Sequence, residues 1–323
     1  MSRLFLFFAG VLLALIGFSG VASACIWVDG TTLEGRPISH NDSSSFRSRL
    51  ERAMEETPAD KLRALDGLRK DSADNREKEA VRKILSGDPG AAILLLQKIE
   101  EEEPGKYSTA ANLGTAYELA GDNRNALKWI TEGMRRNSES HYRTEWLHAL
   151  ILEIKLRLES DPDYLKTHRV IPLPENFDRG TKIPIGGEER LMDDVMRALS
   201  YQLSERVVFV KPPDPIVADL LFTGALCEAH TGILESAVEL LQKAGEYGFQ
   251  DPALLKSTID RYQAKIRAAN LMRWAWRLGI ALIGIGGAGL LYYSYRRKWF
   301  FLMPAAHRKY LAEKKAREQQ PIP

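Results

Sequence analysis

Two segments of this chain superimpose at a shift of 34 residues. Gly87-Asp88 falls on Gly121-Asp122, Ala92 on Ala126, Ile93 on Leu127, Ile99 on Gly133 and Pro104 on Ser138. A period of 34 with Gly-Asp at its middle, and a small residue four positions after the Asp, is that of a helix–turn–helix unit. Such a unit cannot bury its apolar face alone. It stacks on its neighbours, and the stack offers a long curved surface to another polypeptide more often than it performs chemistry.

The strongest unit runs from Tyr107 to Ser140. Its first helix carries Ala110, Leu113, Gly114, Tyr117 and Leu119; its second carries Ala126, Leu127, Ile130 and Met134. Gly114 and Ala126 are expected where the two helices approach most closely, with Tyr117 filling the space between them. The unit before it, 73–106, keeps the turn and the second helix but has a polar first helix and ends in the solvated run Glu100 to Glu103. A further pair spans Ala218 to Gly248, where Gly232 takes the turn and Ala237, five residues later, the crossing.

Between these units the spacing predicts helices over 46–54 and 61–68, with Asp60 capping the second. It predicts one long helix over 141–158, another over 189–208 and a last one over 252–268. Residues 25–35 alternate like a short strand or hairpin, and 41–45 is a loop. Residues 161–188 hold four prolines and the Gly186-Gly187 pair without a periodic core. They read as an irregular insertion, packed along the repeats or free to bind a partner.

Both ends of the chain are given to membranes. Met1-Ser2-Arg3, an apolar run from Leu4 to Val21 and Ala22-Ser23-Ala24 form a secretory signal with cleavage between Ala24 and Cys25. Cys25 is also placed for lipidation, although Ala22 is not the usual residue for it. From Leu278 to Tyr295 there is no charge, and at about 1.5 Å per residue this stretch matches the hydrocarbon thickness. Aromatic belts stand at both ends (Trp274, Trp276, Tyr292, Tyr293 and Trp299), and its five glycines argue against a soluble helix.

The overall charge of +2 hides a split. Residues 25–270 hold 34 Lys plus Arg against 41 Asp plus Glu, while residues 296–323 hold eight against two. A basic flank stays on the cytoplasmic side. The expectation is a single-pass protein of a bacterial cytoplasmic membrane, with an extracytoplasmic ectodomain and a cytoplasmic tail near anionic lipid. The only basic block abuts a membrane, which disfavours nucleic acid as a partner. Gly284 and Ala288 make a small-xxx-small step, a candidate for homodimer pairing. Two cysteines, Cys25 and Cys227, are too few for a disulfide framework.

Asn112-Leu-Gly-Thr-Ala-Tyr117, then Ala120-Gly-Asp122, then Ala126-Leu127 resembles the tetratricopeptide repeat (TPR), although Ala110 stands at the opening Trp position and Ser138 at the closing Pro. Segments 112–121, 140–148 and 209–216 also resemble uncharacterised bacterial membrane-anchored repeat proteins, a likeness that brings no activity with it. The TPR resemblance implies an all-α solenoid that binds protein or peptide on its concave side. On the matching positions Asn112, Thr115 and Glu118 would face the ligand, with Glu145 and His148 beside them.

The expected fold is therefore an all-α, TPR-like helical-repeat solenoid with an irregular insertion and one C-terminal transmembrane helix. Its expected parts are a signal peptide (1–24), an N-terminal irregular segment and helices (25–72), repeats (73–160), the insertion (161–188), further repeat-like helices (189–270), the span (274–295) and the basic tail (296–323). The expected function is that of an adaptor, not an enzyme, without cofactor or metal.

One constellation favours the alternative of an extracytoplasmic enzyme or metal-binding protein: His141, Glu145 and His148, with His168 near the insertion. A Glu-x-x-His pair is a di-iron ligand element, but a second such pair is missing, and zinc would need three or four ligands. There is no G-x-S-x-G. Gly284 to Gly289 lies inside the apolar span, where it cannot cradle phosphate. Cys227 reads as a small core residue.

Overall fold

The computed structural model describes residues 27–41, 46–67, 75–297 and 304–318. The signal peptide, the Ala24–Cys25 cleavage position and the loop at 42–45 lie outside the described residues. The chain divides into two compact units, Met1–Ile266 and Arg267–Pro323. The first opens with the antiparallel hairpin β1 (Trp27–Thr31) and β2 (Pro37–Asn41). The helices then follow in order: α1 (Phe46–Glu55), α2 (Pro58–Gly67), α3 (Asn75–Leu85), α4 (Pro89–Glu102), α5 (Tyr107–Leu119), α6 (Asn123–Arg136) and α7 (Glu145–Ser160). After the short α8 (Tyr164–Thr167) comes a second hairpin, β3 (Lys182–Ile185) and β4 (Glu188–Leu191). The remaining helices are α9 (Met192–Phe209), α10 (Pro215–Thr231), α11 (Leu234–Glu246), α12 (Pro252–Arg296) and α13 (Pro304–Glu318). The described residues are all-α apart from two small hairpins.

Each helix from α3 to α7 packs on the next, and the Gly-Asp pairs explain how. Gly87 and Gly121 both have φ of 83°, a left-handed conformation that suits glycine. Asp88 N donates to Lys83 O at 2.8 Å and Asp122 N to Tyr117 O at 2.9 Å, which closes α3 and α5 with the same wide turn. The two aspartates then cap the following helices, accepting from Ala91 N and Asn125 N, each at 3.0 Å. One dipeptide thus ends one helix and starts the next. A methyl group added at Gly114 would stand 2.4 Å from Ile130 Cδ1, so the missing side chain is the space that Ile130 occupies.

Ala126 and Ala237 are fully buried. Ala126→Leu is expected to cost about 1–3 kcal/mol by overpacking, read as a lower urea midpoint of the full chain in micelles. An unchanged midpoint would mean that α5 and α6 do not cross at this alanine.

Several sequence expectations need correction. Asp60 does not start α2. Thr57 is the cap, accepting from Asp60 N at 3.2 Å while Asp60 accepts from Thr57 N at 2.9 Å, a reciprocal box with the acid three residues in. Gly232 does not repeat the geometry of Gly121: its φ is −128°. A side chain there would collide with Glu228, so at this turn glycine provides room and not a left-handed bend.

The helix expected over 141–158 starts only at Glu145, because His141, Tyr142 and Arg143 all have positive φ (45°, 59° and 64°). Three successive left-handed residues cannot belong to a right-handed helix, and each costs about 1–2 kcal/mol. Residues 188–191 are a strand, so α9 starts at Met192, later than expected.

The 161–188 segment is not coreless. Leu165, Val170, Ile171, Ile183 and Ile185 are buried in the main hydrophobic cluster with α7, α9, α10 and α11. Gly186 and Gly187, with φ of 60° and 82°, make the two-residue turn that joins β3 to β4.

The insertion is pinned by Asp219 of α10. Its carboxylate accepts from Val170 N at 2.8 Å and lies 3.4 Å from Arg169 Nη1. Burial pushes its pKa up from 3.8 to about 6, against the Val170 amide and Arg169. A raised folded-state value means stability that is full below the unfolded value and lost as pH rises through about 6. Wild type minus Asp219→Asn is therefore expected to lose up to about 3 kcal/mol of stability between pH 4 and 7. Urea titrations at stepped pH would show it; parallel curves would refute it.

α12 is unbroken from Pro252 to Arg296, so the last ectodomain helix and the span expected as separate elements are one helix. No proline and no glycine stand between Pro252 and Gly279 to interrupt it. Among the described residues it is the one helix long and apolar enough to cross a membrane. In the second unit its apolar side chains, such as Ile283 and Leu282, are exposed, and its glycines face open space.

Candidate functional site

A cavity of about 320 Å³ opens between α3, α5, α7 and α9. Asn112, Thr115 and Glu118 reach it from successive turns of α5, and Glu145 and His148 from the first turns of α7. All five residues singled out from sequence therefore line one cavity, and His141 joins them. Ile84 and Leu85 of α3 and Phe209 and Val210 at the end of α9 make its apolar side.

The polar floor is a chain of charges. Glu118 Oε1 accepts from Lys155 Nζ at 2.6 Å and Arg206 Nη1 at 2.5 Å; Glu118 Oε2 meets His148 Nε2 at 2.7 Å. The other ring nitrogen of His148 lies 3.6 Å from Glu145 Oε2, and Glu145 Oε1 is hydrogen-bonded to His141 Nδ1. Burial opposes the charge on Glu118, but Arg206, His148 and Lys155 outweigh it and hold the carboxyl well below the usual carboxylate range. Burial likewise opposes charge on His148, and its two carboxylates prevail, raising the imidazole above its ordinary value. Against its own burial, Glu145 is drawn down to about 2 by His141 and His148. His148 is thus an imidazolium held between two carboxylates, with neither nitrogen vacant.

His141 is presented differently. Its ring stacks on Tyr201 at 5.3 Å and meets Tyr107 edge-on at 5.9 Å. Its Nδ1 is engaged by Glu145; its Nε2 has no partner among the described residues, and the side chain is 42% exposed. Thr144 Oγ1 braces the left-handed turn by donating to His141 O at 2.6 Å, and the buried Gln202 donates to Thr144 Oγ1 at 3.2 Å. Backbone strain held this firmly is found mostly at ligand and active sites.

The five expected contacts differ in what they have to spare. Thr115 Oγ1 is turned back onto Ala111 O at 3.2 Å. Glu118, Glu145 and His148 are spent on one another and on α9. Asn112 alone is half-buried on the wall with a carboxamide that makes no hydrogen bond among the described residues. His168 stands apart, exposed and stacked on Tyr164 at 4.2 Å. Among the described residues no three His, Cys, Asp or Glu side chains are grouped to hold a metal. Cys227 is buried, and burial pushes its thiol up to about 12.

Sequence reasoning missed Lys155, Tyr201, Gln202 and Arg206. A signal existed for Arg206, a cation three and seven residues after the apolar Leu203 and Leu199 on one helix face, where a buried charge implies a partner. The sequence matches no protein-family model and no curated protein.

Proposed function

We propose that this chain is a membrane-anchored, TPR-like adaptor that holds an extended peptide segment of another protein in the α3–α5–α7–α9 cavity. The carrying observation is Asn112: an uncommitted carboxamide, one acceptor and two donors, on a wall beside Ile84 and Leu85. A peptide bond offers the complementary donor and acceptor, and neighbouring apolar side chains can receive its residues. The shared Gly-Asp capping of α3–α4 and α5–α6 supports the repeat reading on which the concave assignment rests.

In this reading the cavity is extracytoplasmic, the 296–323 tail is cytoplasmic, and the span sits in a bacterial cytoplasmic membrane, where it is also a candidate for self-pairing. A photocrosslinking residue at position 112 in intact cells should capture a discrete protein that the same residue at exposed Lys128 does not. Equal capture at both positions, or none at 112, would overturn the proposal. A reporter active only in the cytoplasm should work when fused after Gln320.

The second reading, an acid–base site, is favoured by His141: Nδ1 held by Glu145 and Nε2 open to the cavity. A carboxylate that fixes the tautomer leaves the other nitrogen a base. Diethyl pyrocarbonate should then modify His141 faster than exposed His168, and Glu145→Gln should remove the difference. Equal rates in the wild type would end this reading.

A further inference from the structure

A second cavity, of about 650 Å³, is lined by residues of the insertion, α10 and α12. That volume is in the range of small-molecule sites, about 300–1,000 Å³. The 169–177 part of the insertion forms one wall, with Ile171, Leu173 and Phe177 facing in, and Phe222 and Leu226 of α10 form the floor. Phe177 is held by stacking on His230 at 4.0 Å. Burial lowers the His230 pKa, against the pull of the Glu34 carboxylate. These side chains offer carbon and aromatic faces, and Arg169 and Glu175 of the same stretch also line the cavity.

The opposite wall is α12, which presents Leu254, Thr258, Arg261, Tyr262 and Lys265. Their spacing of four, three, one and three puts them on one helical face. Thr258 is only 3% exposed, and its hydroxyl has no hydrogen-bond partner among the described residues. Thr258 lines the cavity, so a bound group there can reach this hydroxyl. Arg261 lies over the Tyr262 ring at 5.3 Å and makes no ion pair among the described residues. Lys265 Nζ donates to Leu33 O at 2.5 Å, which leaves two of its three donors.

Of the other lining charges, Arg169 is consumed by Asp219 and Asp251, at 3.4 and 3.6 Å. Glu175 is exposed on the insertion side. The α12 wall thus carries the cavity's Arg261, Lys265 and Thr258 hydroxyl, with Glu34 near enough to feel Lys265, while the insertion and α10 supply most of the apolar surface.

We propose that this cavity binds a single-chain amphiphile with a carboxylate head, a long-chain fatty acid, with its head on Thr258, Arg261 and Lys265 and its chain along Ile171, Phe177 and Leu226. The geometry suits a molecule with acid and hydrocarbon at opposite ends. A wholly polar anion would leave the aromatic wall unused, and a neutral hydrocarbon would leave the Thr258 hydroxyl, Arg261 and the two remaining Lys265 donors unused.

The test uses the full chain in phosphatidylcholine nanodiscs with palmitate carrying a photoreactive diazirine in its chain. Adducts should map to 169–177, 222–230 or 254–265 and be competed by unlabelled palmitate, but not by hexadecanol. Lys265→Glu should lower this labelling about tenfold or more, the effect of about 1.4 kcal/mol. Leu226→Trp, which fills the floor and keeps every cation, should abolish it; circular dichroism would establish that both variants are folded. Adducts confined to 278–295, equal competition by the alcohol, or cavity labelling indifferent to both variants would each overturn the proposal. None of these outcomes bears on Asn112 or the peptide cavity.

Discussion

Glu118→Gln is expected to destabilise the chain by about 3–5 kcal/mol, the cost of leaving buried charge without its counter-charge. The carboxylate answers Lys155, His148 and Arg206 at once, and Arg206 and Glu118 are each less than one-tenth exposed. A glutamine keeps the shape and one acceptor but leaves Lys155, Arg206 and the His148 imidazolium facing a neutral group. Urea unfolding of the full chain in micelles should show a lower midpoint with the slope unchanged.

The double variant Glu118→Gln/Arg206→Met should recover much of the loss, because the pair is then removed together. A single variant within about 0.5 kcal/mol of wild type would mean that water reaches these charges. The pH dependence has two limbs. The lowered carboxyl of Glu118 contributes stability at neutral pH that is lost in acid. The raised imidazole of His148 contributes stability in mild acid that is lost as pH rises through its folded value.

Ile183→Ala in β3 should cost about 2–5 kcal/mol, as for a filled core position emptied to alanine. Ile183 is 1% exposed within the cluster formed with α7, α9 and α10. A flexible partner-binding loop would tolerate this change within about 0.5 kcal/mol, so one midpoint measurement separates the two pictures of residues 161–188. The neighbouring Lys182→Ala, on the outward face of the same strand, should be near neutral.

What could be read from the sequence was set by local chemistry. Gly-Asp at a period of 34 encodes a bend and a cap within two residues, so α3 to α6 were legible with their turns. The charge-free run 278–295 needed no tertiary information. The β3–β4 hairpin did not declare itself, because strands of four residues, one holding Pro184, are too short to show alternation. The left-handed turn at 141–143 was illegible for a different reason: His, Tyr and Arg there carry no turn signature, and the conformation is imposed by Thr144, Gln202 and the stacking of Tyr201. At the site, the TPR resemblance pointed to Asn112, Thr115 and Glu118 of α5, and spacing put Glu145 and His148 on one face of α7. Lys155 and Arg206 are distant in sequence and enter only through packing. The charges of Glu118, Glu145 and His148 therefore read as open contacts until the structure closed them on one another.

That closure has a bearing on selectivity. An incoming acidic side chain must compete with Glu118 for cations already engaged, and an incoming basic one finds Glu118 and Glu145 already answered. The floor of the cavity is thus nearly blind to ligand charge. What it leaves legible to a visitor is a carboxamide, an imidazole nitrogen and a strip of hydrocarbon. If a peptide binds there as proposed, it would be discriminated by backbone and shape, with neutral segments that present main chain favoured over tails that present charge.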